Sequence, residues 1–453
     1  MNTRRATKSR LPKAMTAKPI MRTFFLRSFG CQMNDHDAER ICALLEDDGL
    51  ERVARIDDAD DIVYNTCTVR RSADDRLAGH LGEAARVKAL DPGRVVVVAG
   101  CLPQVEREAF FERFPFVDVA LGPHRLRELP AALAAHGQRG YFDGEGDFSG
   151  ALLAHRERRF QAWVQVMAGC DNACTYCIVP TARGPQRSRA LPDVVTEVHR
   201  LVADGVLEVT LLGQNVNSYG TDLPLEGRPT FATLLRELDR IPDLRRLRFT
   251  TSHPRDLSDE LVATLAELPS ACEHVHLPAQ SGADQVLAAM GRGYTSAWYL
   301  GRVEALRNAI TDIAVTTDLM VGFPGETEAD FAATLALVER AGFDAAFTFV
   351  YSPRPGTRAA ELPGQVPAAV AGERIARLVA ATQRQSRRRR AACVGTTVEV
   401  LVEGESRHAG TLRGRTRQNV TVNFAGTAAP GELVPVLVTG SSSTTLKGHV
   451  EPA

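Results

Sequence analysis

Residues 168–180 read AGCDNACTYCIVP and place three cysteines, Cys170, Cys174 and Cys177, within eight residues. Structural zinc sites use four side-chain ligands, and iron–sulfur clusters are commonly held by four cysteines. The C-x3-C-x2-C spacing is too tight for two zinc-knuckle halves, and no neighbouring Cys or His completes a tetrahedral set. A [4Fe–4S] cube fits better. A short loop wraps three of its corners and leaves the fourth iron without a protein thiolate. Such an iron is useful where a substrate or cofactor takes the vacant position.

Outward from that loop, strand-like and helical patterns alternate six times between about 160 and 353. The strand candidates are AWVQVMAG (162–169), EVTLLGQ (208–214), RLRFTTS (246–252), EHVHLP (273–278), DIAVTTDLMVGF (312–323) and AAFTFVYS (345–352). Amphipathic stretches such as DVVTEVHRLVADG (193–205) and FATLLRELDRI (231–241) lie between them. Six such units predict an open, partial barrel, since eight close a full one, with the chemistry at the carboxyl ends of the strands. The cysteine loop follows the first strand.

The segment before it also alternates. RTFFLRSFGC (22–31), DIVYNTC (61–67) and RVVVVAGC (94–101) are short apolar runs, and DAERICALLEDDG (37–49) is amphipathic, which predicts a small parallel α/β domain. Cys31, Cys67 and Cys101 each follow such a run, at spacings of 36 and 34 residues. Parallel strands present their carboxyl ends on one edge, so these three thiols are expected to converge as a second ligand set. Cys42 falls on an apolar helical stripe and reads as core, and Cys272 and Cys393 read as structural.

After Arg390 short strand patterns crowd together: TTVEVLVEG (396–404), AGTLRGRT (409–416), NVTVNF (419–424), ELVPVLVTG (432–440) and TTLKGHV (444–450). They predict a small five-stranded barrel of OB type. Arg407, His408, Arg413, Arg415 and Arg417 cluster there, and the basic tract RQSRRRR (384–390) precedes it. The expected division is 1–21 disordered basic arm, 22–138 N-terminal domain, 139–155 linker, 156–388 barrel core and 389–453 small barrel.

The formal net charge of -1 argues against a wholly basic nucleic-acid binder, so any such contact must be local. No apolar run approaches the ~20 residues that span a bilayer, and no apolar segment follows the basic start, so the reading is cytoplasmic, with no membrane association. Nine cysteines in an unsecreted chain point to ligands and reduced thiols rather than disulfides.

C-x3-C-x2-C after the first strand of a partial barrel resembles the signature of radical S-adenosylmethionine (SAM) enzymes. The resemblance implies cluster ligands at Cys170, Cys174 and Cys177, SAM on the open iron, and Tyr176 near its adenine. With SFGCQMNDHD (28–37), YNTCTVR (64–70), AGCLPQ (99–104) and a C-terminal barrel like a TRAM domain, the whole chain is similar to the methylthiotransferases. That implies a second [4Fe–4S] cluster on Cys31, Cys67 and Cys101. LLGQNVNSYG (211–220), TTSHPRD (250–256), HLPAQSG (276–282), MGRGYT (290–295) and DLMVGFPGET (318–327) look most like the branch that methylthiolates N6-(dimethylallyl)adenosine at position 37 of tRNA. PTARG (180–184) departs from that branch, which usually has Tyr at the place of Thr181.

Several expectations follow. The SAM pocket uses Gln214, Asn215, Asp318, Gly322 and Gly325 at strand ends. RNA is contacted by Arg183, Arg407, Arg413, Arg415 and Arg417. The N-terminal sheet edge caps the barrel mouth so that both clusters face one cavity. The protein acts as a monomer and needs an electron donor of flavodoxin or ferredoxin type and a sulfur donor. The alternatives are a methylthiotransferase for threonylcarbamoyladenosine in tRNA or for a ribosomal protein, a radical enzyme with purely structural N-terminal cysteines, and a zinc-stabilised RNA-binding protein.

Overall fold

The run VVVVAG (95–100) has no polar face because both of its faces are covered. Val96 and Val98 pack with Leu77, Leu81 and Ala84 of the helix Arg71–Leu90, while Val97 and Ala99 pack with Ile41, Cys42 and Leu45 of the helix Gln32–Asp47. A strand buried on both sides belongs to a parallel sheet sandwiched by helices. The computed structural model, which describes residues 21–68, 71–135, 137–142, 144, 154–156, 158–408 and 410–451, has that arrangement. Six parallel strands run in the order Glu51–Arg52, Thr23–Phe29, Asp61–Thr66, Val95–Gly100, Val119–Leu121 and Arg139–Tyr141. The last of them corrects the expected linker. Residues 139–141 pair with Val119–Leu121 as the sheet's edge. The expected basic arm, except residue 21, and much of the linker lie outside the described residues.

The core holds six parallel strands in chain order: Gln161–Gln165, Glu208–Leu212, Arg246–Phe249, His274–His276, Ala314–Val321 and Ala345–Val350. The first three pair with one another, as do the last three. Leu247 joins the two halves, donating its N–H to Ser270 O (2.7 Å) and accepting from Cys272 N (3.0 Å). Along Ala314–Val321 the period of two is plain: Val315, Thr317, Leu319 and Val321 are buried, and Thr316, Asp318 and Met320 between them are half-buried. Asp318 is 3.5 Å from His276 on the neighbouring strand, so this second set lines the lumen.

The final helix, Ala368–Ala391, runs past the expected boundary at 388 because Arg389 and Arg390 reach back to Asp344 (3.1 and 3.7 Å). The strands Thr397–Glu405, Leu412–Thr416, Thr421–Ala425, Leu433–Ser441 and Thr445–Val450 then close a five-stranded barrel around Val400, Val402, Val422, Phe424, Val436 and Val438. Register shifts at Val402/Gly404 and Val438/Gly440 bend two of its strands, as closure of so small a sheet requires.

This barrel is latched to the core by buried arginines. Arg246 donates to Arg415 O (2.8 Å) and Glu399 Oε1 (2.8 Å), and Arg248 to Thr416 O (2.8 Å) and Arg417 O (2.7 Å). Glu208 neutralises Arg248 from inside the lumen at 2.9 Å.

Candidate active site: two sets of three cysteines

In the N-terminal sheet Phe29 lies opposite Thr66, and Thr66 opposite Gly100. The three strands therefore end level, and Cys31, Cys67 and Cys101 leave one edge together. Two glycines make that packing possible. A Cβ on Gly30 would sit 2.6 Å from Cys67 Cβ, and one on Gly100 (φ 107°) would sit 2.2 Å from Thr66 O. Asn34 Nδ2 donates to Thr66 O (2.8 Å) and Asn65 Nδ2 to Asn34 O (2.6 Å), which ties the loop ends together.

Cys31 is drawn down to about 6 by a hydrogen bond with Cys67, helped by the charge of Arg183 and opposed by burial. Cys101 is pushed up by burial, with Arg183 acting against the shift. Arg183 comes from the other domain. Its Nη2 donates to Asp37 Oδ2 at 2.7 Å, and the two side chains are 5% and 1% exposed.

The second set sits on the loop between the first core strand and the short helix Val179–Arg183. Three arginines clamp this loop. Arg255 Nη2 donates to Asn172 Oδ1 (2.7 Å), Arg358 Nη2 to Ala173 O (2.6 Å), and Arg292 Nη1 to Cys174 Sγ (3.4 Å) while its Nη2 holds Pro278 O (2.9 Å). Backbone bonds from Thr175 N to Met290 O and from Ala359 N to Thr175 O, both 2.9 Å, fix the centre of the loop. Tyr176 packs beside Met320 against Met290 and Phe323. Burial pushes Cys177 up to about 12 and raises Cys170. Such thiols stay protonated at neutral pH unless a metal takes the proton's place, which a coordinated metal does.

The donor chemistry suits iron–sulfur cubes. Nine cysteines divide into two sets of three and three others: Cys42 in the N-terminal core, Cys272 buried beside Arg248, and Cys393 against the small barrel's core. Neither set therefore has a fourth thiol. Among the described residues no three His, Cys, Asp or Glu side chains are grouped as for a single ion. A cube gives each thiolate its own iron and uses a wider grouping.

Around the loop, buried side-chain atoms without a hydrogen-bond partner among the described residues include Gln165 Oε1, Asn215 Oδ1, Ser252 Oγ and His253 Nε2. All lie at or just beyond the carboxyl ends of the first three core strands. His253 is driven down to about 2 by burial and by Arg292 and Arg255, so it is neutral at physiological pH. Its Nδ1 accepts from Arg255 N (3.2 Å), which leaves Nε2–H as the unpartnered donor.

The residues expected at the SAM pocket fare unequally. Asn215 keeps its free oxygen while its Nδ2 holds Asp256 (2.7 Å), and Asp318 faces the lumen beside His276. Gln214 instead accepts from Gly169 N (2.6 Å) and anchors the start of the cysteine loop. The Gly322 N–H goes to Glu326 (2.8 Å) and the Gly325 N–H to Gly364 O (2.8 Å), so both build the turn instead of offering donors to a ligand.

Most of the expected RNA-contact arginines are engaged within the protein. Arg183 is buried against Asp37. Arg413 and Arg415 both pair with Glu403, at 3.2 and 2.7 Å. Arg417 forks onto Glu273 (2.7 Å) and donates to Ala271 O (2.6 Å) of the core. Arg407 is exposed. Arg292 and Asp37 lie inside MGRGYT (290–295) and SFGCQMNDHD (28–37), where nothing in the local pattern marks them apart from their neighbours. Their place inside motifs that also hold cysteine-loop neighbours was the signal available.

The N-terminal edge meets the core at this site. The helix Cys101–Glu106 packs on the helix Val179–Arg183, and Gln32, next to Cys31, lines a cavity of about 170 Å³ with Trp163, Thr210 and Thr250 of the core and Glu403, Arg415 and Asn419 of the small barrel.

Residues 164–338 match the model of the radical SAM superfamily, residues 23–122 that of the uncharacterized protein family UPF0004, and residues 391–450 that of the TRAM domain. A protein of Acidothermus cellulolyticus named tRNA-2-methylthio-N(6)-dimethylallyladenosine synthase is 48% identical over 439 residues, covering 95% of this chain and 88% of its own. One of the same name from Mycolicibacterium gilvum is 46% identical over 453 residues, covering 96% and 88%. Among solved structures, the radical S-adenosylmethionine methyltransferase TsrM from Kitasatospora setae, with cobalamin and a [4Fe–4S] cluster bound, superposes with a TM-score of 0.57 at 18% identity, over 75% of this chain and 77% of that one. That likeness is one of fold.

Proposed function

This chain belongs to the family of tRNA-2-methylthio-N6-dimethylallyladenosine synthases, and from that premise we propose that it converts N6-(dimethylallyl)adenosine at position 37 of tRNA to its 2-methylthio derivative. It is a radical SAM methylthiotransferase. The alternatives of a threonylcarbamoyladenosine or ribosomal-protein substrate are not favoured by the names its relatives carry.

The C2–H of adenine is not acidic, so a His or Glu base has little power over it. A [4Fe–4S] cluster with SAM supplies a carbon radical able to take that hydrogen atom. Cys170, Cys174 and Cys177 would hold this cluster, and Arg255, Arg292 and Arg358 fix their loop. Gln165 Oε1 and Asn215 Oδ1 are acceptors for the ammonium of the methionyl group, and His253 Nε2–H and the Ser252 hydroxyl are donors for its carboxylate. Asp318 and His276, 3.5 Å apart, would lie on the lumen wall formed by the fourth and fifth core strands. Cys31, Cys67 and Cys101 would hold a second [4Fe–4S] cluster that carries the sulfur to be inserted.

The observation that supports this reading is the pair of three-thiol sets, each lacking a fourth cysteine, joined through the helix that follows Cys177. The reading also calls for a one-electron donor of flavodoxin or ferredoxin type, a sulfur donor, and a monomer working in the cytoplasm. No helix among the described residues is long and apolar enough to cross a membrane.

Nucleoside mass spectrometry of tRNA from a deletion strain tests the assignment. The methylthio nucleoside should vanish and N6-(dimethylallyl)adenosine accumulate. Persistence of the methylthio form in a strain without a paralogue would overturn it.

A further inference from the structure

We propose that Arg183, paired with Asp37, is a positioning residue of the radical core that sets the charge around the N-terminal three-cysteine site and so tunes the reduction potential of the cluster held there. This rests on the two-cluster reading above.

The placement begins in the sequence. Only five residues separate Cys177 from Arg183, and the helix Val179–Arg183 fills that interval. It packs on the helix Cys101–Glu106 of the other domain, and Gly184 (φ 70°) then turns the chain away. His124 of the N-terminal domain fixes the helix end, since its Nε2–H donates to Arg183 O at 3.0 Å. The guanidinium thereby enters the other domain's pocket, meets Asp37 Oδ2 at 2.7 Å and acts against the burial that pushes Cys101 up.

The charge count points the same way. Asp37 Oδ1 has no hydrogen-bond partner, and a second cation, Arg40 Nη1, stands 3.9 Å from it. Two guanidinium groups thus share one carboxylate in a nearly dry interface. A buried ion pair is weak grounds for a purely stabilising role, because desolvation offsets most of the attraction. Three thiolates on a cluster supply the anionic partner that this excess of positive charge lacks. A buried cation beside the thiolates favours the more negative, reduced form of a cluster they hold. The same residue also ties the two sites mechanically, because it is carried on the segment that leaves the radical loop.

The test uses the full chain with Cys170, Cys174 and Cys177 all replaced by Ala, loaded anaerobically with iron and sulfide, so that only the N-terminal cluster gives a signal. Its midpoint potential is read by redox titration with electron paramagnetic resonance. Arg183→Gln should shift the potential downward, Asp37→Asn should shift it upward, and Arg183→Lys should fall between Arg183→Gln and the parent. Opposite signs are the mark of a charge effect, since a merely structural role would disturb both positions alike. Shifts of the same sign, or no shift in either variant at full iron content, would overturn the proposal. Should Arg183→Gln fail to take up iron, Asp37→Asn decides alone, and a potential that does not rise refutes it. If the parent with three Ala holds no iron at all, the two-cluster reading itself has failed and the proposal falls with it.

Discussion

Cys170, Cys174 and Cys177 come from one loop and remain half-buried, whereas Cys31, Cys67 and Cys101 come from three strand ends and two of them are buried. The loop set is held from outside, by arginines at 255, 292 and 358 that grip the Asn172 side chain, one sulfur and one backbone carbonyl. The sheet set is held from within, by strand register and by two glycines that let the chains touch. Their electrostatics differ too. Burial raises the loop thiols Cys170 and Cys177 and the sheet thiol Cys101 alike, while a neighbouring thiol and Arg183 bring Cys31 down. A site made by a motif can be moved as a unit. A site made by register depends on the whole domain beneath it.

Separating the two sets chemically gives the largest expected effect. Cys174→Ala should reduce methylthio product to background and remove about four of eight irons per chain, leaving the N-terminal cluster in place. Cys101→Ala should also abolish the methylthio product and remove about four irons, yet 5′-deoxyadenosine formation from SAM should persist. Iron content and both products, measured on anaerobically loaded protein, check this. A Cys101→Ala protein that still makes the methylthio nucleoside would remove the division of labour between the sets.

A subtler variant probes register directly. Gly100→Ala puts a methyl 2.2 Å from Thr66 O at φ 107°, where an L side chain is strained. Strain of this kind costs about 1–3 kcal/mol and should fall on the sheet set alone, visible as lowered thermal stability and loss of the N-terminal iron. Gly325→Ala is the control, because a Cβ there meets nothing within 4 Å and only its φ of 82° is penalised, by about 1–2 kcal/mol. Equal losses from both would mean that close approach at the strand ends is not what assembles Cys31, Cys67 and Cys101.

The legibility of the two sets follows from the same contrast. C-x3-C-x2-C is local, so its chemistry could be read from eight residues. The convergence of the sheet set was legible because short apolar runs locate strand ends, and parallel strands end on one edge. The six core strands and the five of the small barrel were readable for the same reason. What stayed hidden was the partner of each arginine. Arg183 and Arg417 look alike in sequence to any surface cation, yet Asp37 and Glu273, far away along the chain, draw them inside. Residues 139–141 were hidden because RGY carries too little apolar pattern to announce an edge strand, and pairing with Val119–Leu121 decides its state.

The arginines of the small barrel carry this contrast to its smallest test. Four of them on phosphate would give a slope of roughly -0.7 × 4, near -3, for the log of the association constant against log salt at single-stranded contacts. Arg413 and Arg415 share Glu403, and Arg417 is forked onto Glu273, whereas Arg407 is exposed. Arg407→Ala should therefore lower the magnitude of the salt slope for tRNA binding by about 0.7, measured by filter binding across a salt series. Arg417→Ala should leave that slope unchanged. It should instead loosen the barrel from the core by about 1.5–3 kcal/mol, the range for hydrogen bonds to charged groups, and speed proteolysis near Ala391. A slope that falls for Arg417→Ala as much as for Arg407→Ala would show that the latch opens on RNA. The inward and outward arginines would then be one population, and engagement of a cation in the free protein would no longer predict its role.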